Sequence, residues 1–478
     1  VRALQACAIL ATGLLLAVPA SAVGPRGAPP PPGPPPPARV PTIQAFEGPR
    51  ELKVLLVTDT DLPMVRASFV FADAARAEAA NQRGLAVLTA RVMLYGGVRD
   101  WELDIDFLGE RTEGLAIVPD DSFVGLDFSC FPKDFGDVLE EIAHVLGSPL
   151  LDKKFIDSSA RSAVTALSSS RVSSGRVGSE RVRKLVLKWH REEIDAWGSE
   201  ATLRALKPDD VRRFHDAWFR PDHATLIVVG DITRETLEKA LAEELSAWDL
   251  ADVPEAPLTP PPPPKPPESR LVVLHRAGVV QSKVFVAALG PPSGSDELAA
   301  AAVLAEILGG GLDSRLDQLL REEQADSYGL AAHHEVMPDA GILWLAGAVD
   351  ADATAGAIAQ IFEILDDLGA TSVSAEELRA AQAVLEGRVM RGAATTSGML
   401  GQLRAQIRRG RDPANPGGWI EEVRAVTADD VKRAAGRWLG AEARTVLVVG
   451  DAARIGPSLE RLGMPVETKY RKGERPAN

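Results

Sequence analysis

Ala224-Thr225-Leu226-Ile227-Val228-Val229-Gly230-Asp231 returns later in the chain as Arg444-Thr445-Val446-Leu447-Val448-Val449-Gly450-Asp451. The correspondence extends upstream without a gap. Leu206-Lys207-Pro208-Asp209-Asp210-Val211 and Trp218 are matched by Val426-Thr427-Ala428-Asp429-Asp430-Val431 and Trp438, each partner 220 positions further on. A helix start, a tryptophan and an apolar β-branched run at one constant offset mark an internal duplication. The opposite ends of the two halves agree more loosely. There Ser68-Phe69-Val70-Phe71, then a helix and Gly96-Gly97, answers Lys283-Val284-Phe285-Val286, then a helix and Gly309-Gly310-Gly311.

Proline places the boundaries. More than half of the 35 prolines fall in Pro25–Pro41 and Pro254–Pro267, compositions that form extended, semi-rigid spacers. The chain therefore reads as a leader at 1–22, a Pro-rich disordered stretch at 23–46, a first domain at 47–250, a Pro-rich linker at 251–269, a second domain at 270–465 and a disordered tail at 466–478. Runs such as Leu52–Val57, Val65–Phe71, Leu226–Val229, Leu271–Leu274, Gly341–Ala346 and Val446–Val449 supply strands. Between them lie helices opened by caps such as Lys207-Pro208-Asp209-Asp210 and Ser374-Ala375-Glu376-Glu377. Leu85, Leu88, Val92 and Tyr95 share one helical stripe and predict a packed helix over Ala79–Tyr95. The fold class is α+β: two homologous α/β sandwich domains, each a sheet covered by helices.

An apolar share of 45%, with 25% charged residues, is ordinary for a globular chain. A formal net charge of −14 argues against a nucleic-acid footprint, which needs clustered Lys and Arg. Arg2, the apolar run Ala8–Val18 and Pro19-Ala20-Ser21-Ala22 form the charged, apolar and A-x-A parts of a secretory leader, with cleavage expected after Ala22. The expectation is an exported protein, periplasmic or extracellular, without a membrane span, since the run is shorter than the roughly 20 residues a span needs. A lipid-carrying terminus at Cys7 is the alternative, and Cys7 is badly placed for it, ahead of the apolar run. Past the leader only Cys130 remains, so packing rather than a disulfide must hold the fold.

Several segments share a pattern: Leu62-Pro63 and Gly84-Leu85-Ala86; Phe219-Arg220-Pro221-Asp222-His223 running into the repeated strand; Gln281-Ser282; Gly309–Leu316; and Leu320-Arg321-Glu322 through Tyr328. Through them the chain resembles the insulinase/pitrilysin family of zinc metallopeptidases (inverzincins), in particular its two-domain, processing-peptidase-like members. The likeness spans nearly the whole chain after the leader. It implies two domains closing on a chamber. Active members carry H-x-x-E-H on a helix, where the i, i+3, i+4 spacing gathers two zinc-binding imidazoles and the glutamate that acts as general base. Here the corresponding positions are Val87, Ala90 and Arg91, and Ser158 to Ser179, where a further zinc-binding glutamate is sought, contains no acidic residue. No catalytic residue and no metal ligand of the family is left in this chain. The seven histidines form no helical metal pair; His333-His334-Glu335 is the one cluster, and adjacent strand residues face opposite sides, which points to packing or surface roles.

In the resembled family an arginine and a tyrosine at the spacing of Arg321 and Tyr328 reach from the second domain to the peptide near the scissile bond, where donors to a developing oxyanion contribute strongly. Without that role, Arg321 is a solvated helix charge and Tyr328 a core aromatic. Gly309, Gly310 and Gly311 are either a substrate-facing loop, as the resemblance implies, or a helix C-cap turn. The leading expectation is a non-catalytic subunit of a heteromeric peptidase. A partner with H-x-x-E-H would supply zinc and base, this chain Arg321 and Tyr328, and the substrate would be an extended peptide bound by edge-strand addition. The alternative is an inactive peptide-binding or assembly scaffold of the same fold.

Overall fold

The computed structural model describes residues 41–98, 105–170, 174–248, 258, 260–311, 314–318 and 327–470; the leader segment, residues 23–40, much of the 251–269 linker and the end of the tail lie outside the described residues. The first half forms β1 (Gln44–Glu47), β2 (Lys53–Thr58), β3 (Val65–Phe71), β4 (Thr112–Pro119), β5 (Val124–Cys130) and β6 (Thr225–Gly230). The second forms β7 (Arg270–His275), β8 (Gln281–Gly290), β9 (Ser327–Val336), β10 (Gly341–Asp350), β11 (Thr445–Gly450) and β12 (Val466–Lys469). The sheet orders are β1-β2-β6-β3-β5-β4 and β12-β7-β11-β8-β10-β9.

The repeated sequence occupies the same place in both sheets. β6 lies between parallel β2 and antiparallel β3, and β11 between parallel β7 and antiparallel β8. The helices that precede them, Pro208–Trp218 and Ala428–Trp438, begin and end at the same 220-residue offset. Their starts are set by the acidic residue at the third helical position: Asp210 accepts from the Lys207 amide (2.9 Å) and Asp430 from the Thr427 amide (2.8 Å). One edge differs. Antiparallel β1 comes from the start of the first half, whereas β12, parallel to β7, comes from the end of the second.

Why the repeated strands are apolar at every position follows from what covers them. Successive side chains on a strand face opposite sides. Leu226 and Val228 join the main core of the first half, while Ile227 and Val229 pack with Met399, Leu400 and Leu403 on helix Thr396–Arg409, which belongs to the second half. The exchange is reciprocal: Val446 and Val448 face their own helices, and Leu447 packs with Val182, Leu185 and Val186 on helix Ser174–Val186 of the first half. Each sheet is thus buried on both faces, one of them by a helix from the other half. A β-carbon added at Gly178 on that helix would overlap the Phe285 ring of β8. Gly178→Ala is therefore expected to destabilise by about 1–3 kcal/mol through overpacking, read as a lowered urea midpoint, although alanine is the better helix former.

Several local expectations are corrected. β1 begins inside 23–46 and β12 lies inside 466–478, stretches expected to be disordered, because backbone pairing with β2 and β7 orders them. The helix predicted over Ala79–Tyr95 begins at Leu85, after a short 3-10 turn at Ala80–Gln82 and Gly84 at φ +97°. Leu85, Leu88 and Val92 are buried, but Tyr95 at the end of the stripe is 51% exposed, because the helix runs past the edge of the core there. Cys130 is a buried free thiol, and burial followed by the neighbouring Asp134 charge pushes its pKa up to about 12.

Candidate functional site

The helix Leu85–Tyr95, which carries Val87, Ala90 and Arg91, is held at its start by a buried ion pair. The Glu78 carboxylate accepts from the amides of Gly84 (3.1 Å) and Ala86 (2.7 Å), capping amides that have no partner inside the helix. Arg83 donates from Nη1 to Glu78 (2.8 Å) and the Ala75 carbonyl, from Nη2 to Asp121 (2.6 Å), and from Nε to the Ile194 carbonyl. Gly84 supports this entry in two ways. Its positive φ suits glycine, and a β-carbon would press at 3.0 Å on Gly198 Cα, the Trp197 carbonyl and Leu203. Burial pushes the Glu78 pKa up against the opposing pull of Arg83.

On that helix Val87 is 4% and Ala90 7% exposed, both in the hydrophobic core, and Arg91 carries a buried Nε with no hydrogen-bond partner. Aliphatic groups and a guanidinium do not fit zinc, whose protein ligands are imidazole, thiolate or carboxylate. Among the described residues, no group of three or more His, Cys, Asp or Glu side chains is placed to hold a metal ion.

A second cluster joins the halves. Arg183 donates to Asp121 (2.7 Å) and to Glu335 of β9 (2.6 Å) from one nitrogen and to the Glu192 carbonyl (2.6 Å) from another, while its Nη2 is buried without a partner. Burial raises the Asp121 pKa, but Arg183 and Arg83 outweigh it and hold the carboxyl below its usual range; Glu335 is pushed up by burial despite Arg183. Around these groups is a cavity of about 390 Å³, walled by both halves. Further contacts fasten it: Arg404 grips both oxygens of Asp127 (2.8 and 2.6 Å), Arg408 meets Asp120 (2.5 Å), and Arg191 donates from Nε to Asp339 (3.0 Å). The carboxylates accept from arginines, so the arrangement binds and positions through charge-assisted hydrogen bonds. Of these groups the sequence pointed only to Glu335, and there as a neighbour of two histidines rather than as a partner of Arg183. The partners are up to 288 positions apart, and the only local signal was that Arg83 immediately precedes Gly84-Leu85-Ala86.

The other sequence candidates lie around β9, which pairs with β10 only among the described residues. Arg321 lies outside the described residues. Tyr328 is the second residue of β9. Gly309 ends helix Leu298–Gly309, and a β-carbon there would strike Ala332 of β9; the Gly310 amide closes the helix onto the Glu306 carbonyl (2.9 Å), and Gly311 is exposed. His333 packs tilted against Trp344, while His334 bonds through Nε2 to the Pro291 carbonyl (3.0 Å), its pKa pushed down to about 4 by burial. Their rings serve different surroundings, as the alternation of the strand requires. No described helix is long and apolar enough to cross a membrane.

The family profile of the peptidase M16 inactive domain matches residues 205–385. The uncharacterized zinc protease YmxG of Bacillus subtilis is 22% identical over 193 residues, covering 40% of this chain and 46% of that protein. This chain spans about half the length of the curated relatives it matches. Among solved structures, a peptidase M16 inactive domain from Pseudomonas fluorescens superposes with a TM-score of 0.73 at 20% identity, over 86% of this chain and 98% of that one. A chain of Complex III2 from Candida albicans does so with a TM-score of 0.70 at 12% identity, over 89% and 100%. At these identities the superpositions establish the fold, two α+β units of one kind.

Proposed function

This chain belongs to the M16 (insulinase/pitrilysin) peptidase family, and on that premise we propose that it is a non-catalytic subunit of an exported zinc metallopeptidase. It binds an extended peptide, while a partner of the same family bearing H-x-x-E-H provides the zinc and the general base. One observation carries the reading: the family fold is complete in both halves, while the positions of the zinc motif are built into the hydrophobic core as Val87 and Ala90. The edges support the peptide part. Among the described residues β4 pairs only with β5, and β9 only with β10, so each leaves a row of backbone donors and acceptors for an added strand. Tyr328 stands on the β9 edge, and Arg321 is assigned with it to the oxyanion side of the partner's site.

A tagged mature chain recovered from its native exported fraction should bring down, near one to one, a similar-sized chain with H-x-x-E-H. In that complex Arg321→Ala with Tyr328→Phe is expected to lower kcat by about 10²-fold or more, as loss of oxyanion donors does, with the same elution volume in size exclusion. Unchanged turnover would remove the catalytic half of the proposal. The likeness to a chain of Complex III2 favours a second reading, an assembly scaffold. Recovery of no zinc-motif chain, together with peptide binding by this chain alone, would select it.

A further inference from the structure

Next to the cavity between the halves, and sharing His334, Val336 and Arg408 with it, lies a smaller one of about 210 Å³ within the second half. Three arginines face it, Arg388, Arg408 and Arg409, and no carboxylate among the described residues lines its wall. Two of them are neutralised from outside, Arg388 by Glu306 (2.7 Å) and Arg408 by Asp120 (2.5 Å). Arg409 is different. Its guanidinium lies over the Trp419 ring, 4.3 Å from the centroid, and its Nη1 is buried with no acceptor among the described residues. Glu422, the carboxylate that acts on it through space, is engaged by Nε and Nη2 of Arg411 at 2.8 and 2.9 Å. Burial, followed by repulsion from Arg408, brings the Arg409 pKa down to about 10, so it remains a cation at neutral pH. His334, the other titratable group in the wall, is neutral there and offers no countercharge.

A guanidinium nitrogen buried without an acceptor is costly, and the usual outcomes are pairing or loss of charge. Here the missing partner fits from the cavity. Gln402 adds a side-chain amide beside the arginines, and Leu298, Leu385 and Val389 give the opposite wall an aliphatic lining. The volume is below the ~300–1,000 Å³ of a site for a drug-sized molecule, which suits one residue at the end of a longer ligand. The cavity touches His334 and Val336, at the end of the β9 edge away from Tyr328. A strand added to that edge would run roughly 26 Å from Tyr328 to Val336 at about 3.3 Å per residue.

We propose that this cavity is a carboxylate subsite, in which Arg409, with Arg388, Arg408 and Gln402, receives the C-terminal carboxylate of an extended peptide held along β9. The inference rests on the peptide-binding reading above and names one end of the ligand. The fork of a guanidinium matches a carboxylate with two parallel hydrogen bonds, and Trp419 holds its plane.

The test uses the full chain and three N-acetylated octapeptides of uncharged side chains: one with a free C-terminus, its C-terminal amide, and the amide with a single internal glutamate. Binding is read by fluorescence anisotropy and unfolding by calorimetry. The free acid should bind about tenfold or more tightly than the amide, in line with a hydrogen bond to a charged group. In Arg409→Gln this preference should vanish, while the unliganded unfolding midpoint rises because an uncompensated buried charge is gone. Equal binding of acid and amide overturns the subsite and leaves peptide binding standing. Preference for the glutamate amide over the free acid overturns the assignment to a terminus. Stabilisation by inorganic phosphate with no peptide bound overturns both the subsite and the peptide reading. An Arg409→Gln chain that unfolds or melts lower reduces Arg409 to packing on Trp419 and overturns the proposal.

Discussion

Arg83→Met is expected to lower folding stability by about 3–5 kcal/mol, the cost of leaving a buried charge without its partner. Methionine keeps much of the volume, so the loss isolates charge and hydrogen bonding from cavity formation. The wild-type guanidinium reaches Glu78, Asp121 and the carbonyls of Ala75 and Ile194, and both Arg83 and Glu78 are buried. Without it, Glu78 has only the amides of Gly84 and Ala86, and Asp121 keeps Arg183. Glu78 already has its pKa raised by burial, and losing the cation raises it further. Such a carboxyl costs stability where it must ionise and costs little where it is protonated. The deficit of the variant should therefore shrink as the pH falls toward 4.5, the ordinary glutamate value. Glu78→Gln added to Arg83→Met should recover part of the loss at pH 7.5, since a neutral amide keeps an acceptor for the helix amides. Urea titrations of the three proteins at pH 7.5 and 5 check this. A double variant no more stable than Arg83→Met would show that Glu78 is not the strained group.

The network lies at the start of the helix that carries Val87, Ala90 and Arg91, and this separates what the sequence revealed from what it concealed. The duplication was legible because β6 and β11, and the helices ending at Trp218 and Trp438, keep one offset with no insertion. That Val87, Ala90 and Arg91 cannot ligate zinc was legible from residue identity, whatever their surroundings. The continuous apolar character of Leu226–Val229 also carried a signal that both faces of the strand are covered. What covers the second face was not legible. Thr396–Arg409 and Ser174–Val186 are amphipathic helices in the structure, and amphipathicity does not say which sheet an apolar stripe meets. The same holds for Arg404 with Asp127 and Arg408 with Asp120, which look like surface charges until the exchanged helix brings them across the molecule. The start of helix Leu85–Tyr95 was misplaced because the stripe was extended through Gly84, whose left-handed backbone ends one turn and opens the next.

Glu192 makes stability depend on pH in a direction opposite to the usual acid denaturation. The side chain is fully buried beside the contact between halves; Oε1 accepts from the Asp339 amide (3.1 Å) and Oε2 has no hydrogen bond, with His190 Nδ1 3.9 Å away. Burial, reinforced by the Asp339 charge, pushes its pKa up to about 7 from an ordinary 4.5, with Arg191 opposing. Because the folded value lies above the unfolded one, the folded chain holds the proton more tightly. Its contribution is complete below pH 4.5, declines as pH rises through 4.5–7, and is lost above 7, by roughly 3 kcal/mol at 1.36 kcal/mol per pK unit. His190 lies beside it, and burial lowers its pKa, so it acts with the opposite sign, removing stability as pH falls below 6.5. Comparing wild type with Glu192→Gln cancels that term. Glutamine mimics the protonated acid and can still accept from Asp339, so the two proteins should be nearly equal at pH 4.5. At pH 8 the variant should be more stable by roughly 3 kcal/mol. Arg191 and Asp339 fasten the same point across the halves, so hydrogen exchange at the Asp339 amide should quicken with pH in wild type beyond its intrinsic pH dependence, and not in the variant. A stability difference that stays flat from pH 4.5 to 8 would mean that Glu192 ionises in the folded chain as freely as in water. The contact between the halves would then be insensitive to its charge.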